Sequence, residues 1–349
     1  MAFRRVCATW RSAAAQVKFI PSCPTPPLLM LPEEEEKEEE EKKESDEREF
    51  YSVSKGKVSM RLSLPELKGK FCIEARFGWL LAITDEGDDV ILLNPFSRSQ
   101  IKLPNFQTFL EPERKQYCHK IHPKTLNDFI LMAMHCCDVG LLCFWRPGDT
   151  TSWTKLESRK GTPHDVSYYQ GTLVDVNYCN GKFYAINVFG HIWGWDDDDG
   201  RHARIHGKLF LVESEGGGGH LLMITRDLDC DNEGSGEICF CNEHRRGTKN
   251  FNVYRLDTVK GGSWEEITNL GGNAIFVGDN ATSLIPCMEG HRCGIKADCI
   301  YFTDDSWDVL AEDDFISMGV YNVQDGSMER FHGVNKDTEN FIIISREVS

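Results

Sequence analysis

One strand-and-turn unit recurs along this chain, and its spacing constrains the fold more than any other feature. The unit is a pair of apolar strands, the second ending in an aromatic residue or Leu next to Asn, Asp or Arg, then a polar turn and a further short strand. A period of about 50 to 70 residues fits a four-stranded blade with variable loops, so the sequence predicts a degenerate β-propeller. The five copies are 51, 50, 59 and 67 residues apart when anchored at Asn94, Trp145, Trp195, Tyr254 and Tyr321.

Short apolar runs separated by Gly, Asp, Asn and Pro clusters dominate the chain from Phe50 onward. This texture predicts an all-β domain, and tandem sandwich domains stay an alternative to the propeller. A closed ring needs a strand from its far end, and we expect Phe50–Leu62 to complete the blade formed by Gly319–Phe331. The twelve predicted strands are 80–83, 90–93, 129–134, 141–145, 182–186, 191–195, 221–225, 237–241, 251–256, 274–277, 299–302 and 318–323.

Two segments precede the propeller domain, which is assigned to residues 50–349. Residues 1–16 place apolar side chains at the i, i+3, i+4, i+7 spacing of one helix face, which predicts a short amphipathic α-helix. Residues 17–49 begin with a proline cluster and continue as a Glu-rich run without an apolar residue from Glu33 until Phe50. They are predicted to form a disordered, acidic low-complexity linker, because nothing in the run can be buried to offset the entropy of ordering it.

The amino-acid composition distinguishes between soluble, membrane and secreted proteins. Hydrophobic residues make up 40% and charged residues 27% of the chain, which is typical of a soluble protein with a packed core. No apolar run approaches the roughly 18 to 20 residues that cross a bilayer, so no membrane partner is expected. Residues 1–16 lack the apolar core of a secretory signal, which predicts an intracellular protein of the cytoplasm or nucleus.

Charge and cysteine usage argue against a nucleic-acid-binding protein and against a disulfide-linked or zinc-binding framework. The net charge is −16, of which Glu33–Glu49 contributes half, and no basic stripe is present. Nucleic acid is therefore not an expected partner. The 14 cysteines include no C-x-x-C pair and mostly lie in apolar runs, which predicts buried, reduced thiols.

Several segments resemble one protein family. The opening FRRVCATWRSAA (3–14) resembles the last helix of an F-box. In order and spacing, GWLLAI (78–83), LLNPFSRSQIKLP (92–104), IFVGDN (275–280) and CIYFTDD (299–305) resemble motifs of the KIB-type, kelch-related β-propeller of plant F-box proteins. The resemblance covers the N-terminal helix and residues 50 to about 332.

The resemblance implies a function without catalysis in this chain. In that family the F-box docks on the Skp adaptor of an SCF-type E3 ubiquitin ligase, and the propeller presents an unidentified protein target for ubiquitination. An F-box is a bundle of about three helices and only its C-terminal part fits in residues 1–16, so the helix is expected to be an F-box remnant. The residues that match the adaptor-binding motif are Phe3, Val6, Cys7, Trp10 and Arg11.

No catalytic, metal or cofactor site is predicted from the residues. The acids at 196–199 and 304–314 lack the EF-hand spacing, and the His and Cys residues between 118 and 137 lack paired zinc-ligand spacing. Gly216–Gly219 belongs to no phosphate-binding motif, and no G-x-S-x-G is present. Trp79, Trp145, Trp153, Trp193, Trp195, Trp264 and Trp307 are interpreted mainly as blade packing rather than a binding surface. A ligase-independent scaffold, and a propeller hydrolase with acids in its central channel, stay as alternative functions.

Overall fold

A computed structural model describes the architecture of the chain. The residues it describes are 25–31, 46–75, 78–84, 87–105, 118–123, 131–135, 141–146, 152–155, 173–179, 182–187, 192–195, 208–214, 220–230, 245–257, 263–278, 282–287, 294–303, 318–331 and 342–346. They form strands and one short 3-10 helix, Pro65–Leu67. No helix in this described part is long and apolar enough to cross a bilayer.

The strands follow the chain in hairpin order. Residues with large apolar or β-branched side chains dominate them. The strands Val90–Leu93 and Cys299–Phe302 are buried at every position, because a blade packs on neighbours through both faces. The strands are β1 Thr25–Met30, β2 Glu47–Ser52, β3 Lys57–Ser63, β4 Phe71–Ala75, β5 Trp79–Ile83, β6 Val90–Leu93, β7 Gln100–Leu103, β8 Cys118–Pro123, β9 Leu131–His135, β10 Leu141–Trp145, β11 Thr154–Lys155, β12 Leu173–Cys179, β13 Lys182–Asn187, β14 Ile192–Trp195, β15 Lys208–Glu213, β16 Leu221–Cys230, β17 Arg245–Asp257, β18 Ser263–Ile267, β19 Asn273–Val277, β20 Thr282–Pro286, β21 Cys299–Phe302, β22 Gly319–Asn322, β23 Met328–Arg330 and β24 Ile342–Arg346.

The described strands make six blades. Blade 1 has the order β24-β1-β2-β3, blade 4 β12-β13-β14, blade 5 β15-β16-β17-β18 and blade 6 β20-β19-β21-β22-β23. Blade 2 (β4–β7) and blade 3 (β8–β11) share one sheet through a single parallel pair, Ala75 with Ile121. Parallel inner strands and antiparallel hairpins within each blade are the arrangement of a propeller. The predicted all-β propeller is therefore confirmed, and eleven of the twelve predicted runs overlap strands; 237–241 lies outside the described residues.

Apolar clusters between successive blades close the ring. Separate clusters join blades 1 and 2, 2 and 3, 4 and 5, 5 and 6, and 6 and 1. The innermost strand of blade 4, β12, lies against β8 and β9 of blade 3. Each blade thus buries a face that it could not bury alone, and stacked sandwiches are excluded.

Ring closure differs from the prediction. Residues 50–62 do not join the blade around Gly319–Phe331; they form part of β2 and β3 in blade 1. The far-end strand that completes blade 1 is the C-terminal β24, which pairs antiparallel with β1. A short run of three isoleucines at the end of the chain therefore supplies the innermost strand beside three N-terminal strands.

The predicted disordered linker, 17–49, is wrong in two segments. Thr25–Met30 is a strand whose Leu28, Leu29 and Met30 are buried, and β2 already begins at Glu47. Apolar residues at 28–31 can be buried against blades 2 and 6. The proline cluster that precedes them predicted a linker and not a strand. The remainder of 17–49 and the predicted helix at 1–16 lie outside the described residues.

The turn before the outermost strand is the same structure in three blades. A strand-end carbonyl accepts a hydrogen bond from the amide four residues later, and that later residue has positive φ. Arg98 tolerates φ 61° while its guanidinium contacts the carboxylate of Glu66 at 2.6 Å and the carbonyl of Ser63 in blade 1. The three pairs are Ser52 with Gly56, Asn94 with Arg98 and Asn322 with Gly326, each N···O distance being 2.9 Å.

Gly294 provides a test of the seam between blades 6 and 1. Its φ is +72°, and a Cβ there would lie 2.7 Å from Cβ and 3.0 Å from the carbonyl oxygen of Ser54. Gly294→Ala is expected to lower the free energy of unfolding by about 2–4 kcal/mol, because backbone strain and overpacking add. Gly272→Ala, at φ +77° with nothing within 4 Å, should lose only about 1–2 kcal/mol. Urea denaturation of both variants measures the difference, and equal losses would show that the seam tolerates a methyl group.

Candidate partner-binding face

The strand directions divide the loops of the ring between two faces. Inner strands run the same way and strand directions alternate outward in blades 1 to 5, so the connection that precedes the third strand leaves at one face in each of them. Blade 6 differs, because its neighbouring strands β19 and β21 are parallel. In blade 6 the equivalent connection joins β21 to β22, since Thr303 at its start contacts Arg226 of β16. We call this face the acidic face. Six connections within blades leave at this face, 31–46, 84–89, 136–140, 188–191, 231–244 and 303–318, and the connection 64–70 between blades 1 and 2 lies at the same face.

The segments that follow these strand ends hold most of the negative charge of the sequence. The six connections contain 25 Asp and Glu residues and three Lys residues, a net charge of −22. The whole chain carries −16, so all other residues together carry +6. The segments 53–56, 94–99 and 287–298, which follow strand ends at the opposite face, hold four basic and two acidic residues. Acidic residues are therefore concentrated in connections of one kind, and charge of one sign favours binding of an oppositely charged partner.

The connection 84–89 shows how this face holds its carboxylates. Thr84 Oγ1 donates to Asp88 Oδ1 at 2.6 Å and accepts from the amide of Asp89 at 3.2 Å. The hydrogen bond from Thr84 lowers the pKa of the Asp88 carboxyl from its ordinary value, so this exposed group stays ionised. Lys70 Nζ lies 3.0 Å from Asp89 Oδ2 and ties the turn to the start of β4. The turn thus presents a fixed anionic group to solvent.

A buried arginine lies under the acidic face between blades 5 and 6. Arg226, fully buried, donates from Nε and Nη2 to Thr248 Oγ1 at 2.9 and 2.7 Å. Its Nη1 donates to the carbonyl of Thr303 at 3.2 Å, and its Cζ lies 5.1 Å from the centroid of the Phe302 ring. The cation is therefore held at the roots of 231–244 and 303–318, two strongly acidic connections. Sequence reasoning missed Arg226, because nothing around it marks an arginine that will be buried.

Polar side chains also join the inner edges of blades 4 and 5. Asp175 Oδ2 accepts from the amide of Leu211 at 2.6 Å, and Asn177 Nδ2 donates to the Leu211 carbonyl at 2.7 Å. Asp175 Oδ1 accepts from the amide of Val176, so both of its oxygens have donors. An inner strand has unpaired backbone groups at the central channel, and these side chains satisfy them. These hydrogen bonds join the innermost strands of blades 4 and 5.

The site residues predicted from the sequence lie outside the part of the chain that the structure describes. The adaptor-binding candidates Phe3, Val6, Cys7, Trp10 and Arg11 lie outside the described residues, as do the acids at 196–199. Among the residues that are described, no group of three or more His, Cys, Asp and Glu side chains is placed to hold a metal. The described cysteines 72, 143, 179, 287 and 299 are free thiols, and burial raises the pKa of Cys299.

The described tryptophans pack between blades. Trp145 and Trp153 are buried in the cluster of blades 2 and 3, with Trp79 partly buried against it. Trp153 Nε1 donates to the carbonyl of Pro104 at 3.0 Å, which links the outer edges of these two blades. Trp264 is partly buried against the cluster of blades 4 and 5. Packing is therefore the role of the tryptophans whose side chains the structure describes.

Comparison with known proteins agrees with this architecture. An F-box/kelch-repeat protein of Arabidopsis thaliana is 27% identical over 235 residues, 64% of this chain and 56% of that protein. A second F-box/kelch-repeat protein of the same plant is 25% identical over 281 residues, 78% of this chain and 69% of that protein. An Arabidopsis thaliana F-box protein is 28% identical over 145 residues, 39% of this chain and 33% of its own length. The chain thus spans only 56% of the first of these relatives.

Solved structures and a family model add two findings. The structure titled Streptogramin B lyase is 13% identical, covers 82% of this chain and 86% of its own, and has a TM-score of 0.30, a likeness that carries no argument about activity. The family model described as KIB1-4 beta-propeller matches residues 50–322. Because that match spans most of the chain and the ring observed here, this chain belongs to the KIB1-4 beta-propeller family.

Proposed function

We propose that this chain is a non-enzymatic protein-recognition module, the target-binding subunit of an SCF-type E3 ubiquitin ligase. The family match over residues 50–322, together with relatives that are F-box proteins, carries the proposal. The propeller holds a protein target, the F-box-like segment binds the Skp adaptor, and ubiquitin transfer takes place on a partner enzyme. Such a module acts inside the cell, in the cytoplasm or nucleus, and needs neither nucleic acid, membrane nor cofactor.

The charge distribution supports recognition of a protein rather than chemistry on a small molecule. The six connections defined above carry a net charge of −22 in the sequence, and such a concentration of negative charge steers a basic protein surface. The hydrolase alternative needs acids with free oxygens at the channel, and the Asp175 carboxylate is occupied by two backbone amides. Phe3, Val6, Cys7, Trp10 and Arg11 are the proposed adaptor contacts, because they match the F-box motif.

Co-purification with the Skp adaptor tests this function. The chain as it stands is compared with a version that carries a complete F-box grafted before Phe3, and with a Trp10→Ala, Arg11→Ala variant of the native chain. Binding by the native chain and loss of binding in the double variant is the expected result. Binding by the grafted version alone favours a propeller scaffold that acts without a ligase, and binding by neither version overturns the proposal.

A further inference from the structure

The innermost strand of blade 2 begins with an exposed aromatic ring. Among the residues that the structure describes, two large apolar side chains are exposed, Phe71 at 40% and Val58 at 37%. Single exposed apolar side chains are ordinary on a protein surface, so their surroundings decide what they can do. Val58 lies on the outermost strand of blade 1. Phe71 is the first residue of β4, so it lies at the rim of the central channel on the acidic face.

Strand pairing places Phe71 next to the acidic turn 84–89. Phe71 lies directly opposite Ile83 in the β4–β5 ladder, and the turn begins at Thr84, the residue after Ile83. Opposite residues share a sheet face, so the ring stands beside Ile83, which is buried in the cluster of blades 2 and 3. The sequence of the turn, TDEGDD, has four acids and no base. An exposed ring and a turn rich in carboxylates therefore adjoin at the end of one hairpin.

Asp88 supplies a fixed, exposed carboxylate at this end of the hairpin. Thr84 Oγ1 donates to Asp88 Oδ1 at 2.6 Å, which orients the carboxylate while leaving the residue exposed. The same hydrogen bond lowers the pKa of Asp88, so the group is an anion at neutral pH. Its neighbour Asp89 already pairs with Lys70 Nζ at 3.0 Å. Lys70 directly precedes β4, so this ion pair holds the start of the strand against the turn.

We propose that Phe71 and Asp88 form a docking site for an arginine side chain in a basic segment of the target protein. The guanidinium stacks on the exposed part of the Phe71 ring, and its N–H groups donate to the Asp88 carboxylate. Arginine suits this pair better than lysine, because its planar and weakly hydrated cation can stack on a ring and pair with a carboxylate at once. The site rests on the proposed recognition function and names the class of side chain that it takes.

Charge and strand direction select a separate, basic partner as the occupant. A second copy of the chain would bring a net charge of −16 to a turn that contains four acids. The chain's own N-terminal segment joins the ring at Thr25, and β1 runs from there to Met30 before the connection 31–46 of the acidic face. Thr25 therefore lies at the opposite face, where the proposed adaptor-binding segment is attached, and Phe71 faces the other way along the axis.

Calorimetric titration of the full chain with matched peptides tests the site. The probe is a ten-residue peptide of alternating Arg and Ser, and the two control peptides carry Lys or Glu in place of Arg. We expect the Arg peptide to bind more tightly than the Lys peptide of equal charge, and the Glu peptide not to bind. Phe71→Leu keeps an apolar side chain and removes the ring, so it should weaken Arg-peptide binding about two- to fivefold, to the level of the Lys peptide.

Two matched pairs of variants separate this site from general attraction between charges. Asp88→Asn should weaken Arg-peptide binding by up to about fivefold. Asp325→Asn removes an equivalent charge from the turn 322–327 at the opposite face, where Ser327 Oγ donates to Asp325 Oδ1, also at 2.6 Å, and it should leave the affinity unchanged. Val58→Ala is the control for Phe71→Leu, because it reduces the other exposed apolar side chain, and it should also have no effect.

The comparison of Arg and Lys peptides uses the unchanged chain, so it does not depend on the folding of a variant. The proposal is overturned if the Arg peptide does not bind, if both basic peptides bind equally, or if Asp88→Asn and Asp325→Asn weaken binding to the same extent. A benzophenone-labelled Arg peptide should crosslink within residues 68–89, and crosslinks elsewhere alone also overturn it. Adaptor co-purification is independent of these titrations, so failure here with the adaptor still bound rejects the arginine site and leaves the ligase function standing.

Discussion

Deleting residues 342–349 is expected to abolish cooperative folding of the propeller. The deletion removes β24, whose Ile342, Ile343 and Ile344 are 9%, 2% and 0% exposed. Ile342 and Ile344 pack in the cluster with blade 2, and Ile343 packs in the cluster with blade 6. Burying three isoleucines is worth about 5–9 kcal/mol, which is comparable with the whole stability of an average domain, about 5–15 kcal/mol. The edge of β1 also loses its partner.

Circular dichroism during thermal unfolding and gel filtration measure this effect. Deletion of residues 347–349 alone is the control, because it leaves β24 complete. Two substitutions repeat the comparison without shortening the chain: Ile344→Asp places a charge at a fully buried site, and Val58→Asp places one at a site that is 37% exposed. A truncated chain that unfolds at the same temperature as the control would show that blade 1 is stable without its C-terminal strand.

The fold could be predicted because each copy of the repeated unit is recognisable within a short stretch of the sequence. Each copy contains two apolar runs and a polar turn, and the turns at Asn94 and Asn322 indeed share one hydrogen-bond pattern. Ring closure was not predictable in the same way. The strands β1 and β24 are single short runs at opposite ends of the chain, and neither belongs to a complete copy of the unit. Their pairing is decided by which apolar faces blades 2 and 6 leave uncovered.

The candidate site could be recognised from the strand topology and not from a sequence motif. The acids of 231–244 and 303–318 are visible in the sequence, yet only the strand directions show that the strand ends before them, Cys230 and Phe302, lie at the same face as the turn 84–89. The hydrogen bonds from Arg226 to Thr248 and Thr303 span 22 and 77 residues, so no local pattern signals them.

Arg226→Met is expected to lower the free energy of unfolding by about 2–4 kcal/mol. Methionine fills much of the volume between Phe251 and Phe302, but it leaves the Thr248 hydroxyl and the Thr303 carbonyl without the donor that they have now. Each buried polar group left without a partner costs about 1–3 kcal/mol. Arg226→Lys keeps the charge but loses the planar guanidinium, whose hydrogen bonds span two blades. This variant should therefore be more stable than Arg226→Met and less stable than the unchanged chain.

A double-mutant cycle with Thr248→Val distinguishes this hydrogen-bonded hub from simple filling of space. Removing both partners deletes the unsatisfied hydroxyl, so the double variant should be less unstable than the sum of the single variants by about 1–3 kcal/mol. The matched cycle pairs Arg226→Met with Thr225→Val, whose hydroxyl is bonded to Asn252 instead, and it should be additive. Urea unfolding of the variants measures both couplings. Additivity in the first cycle would mean that Arg226 holds blades 5 and 6 together through its ring contacts, and that the roots of the two acidic connections are not fixed by hydrogen bonding.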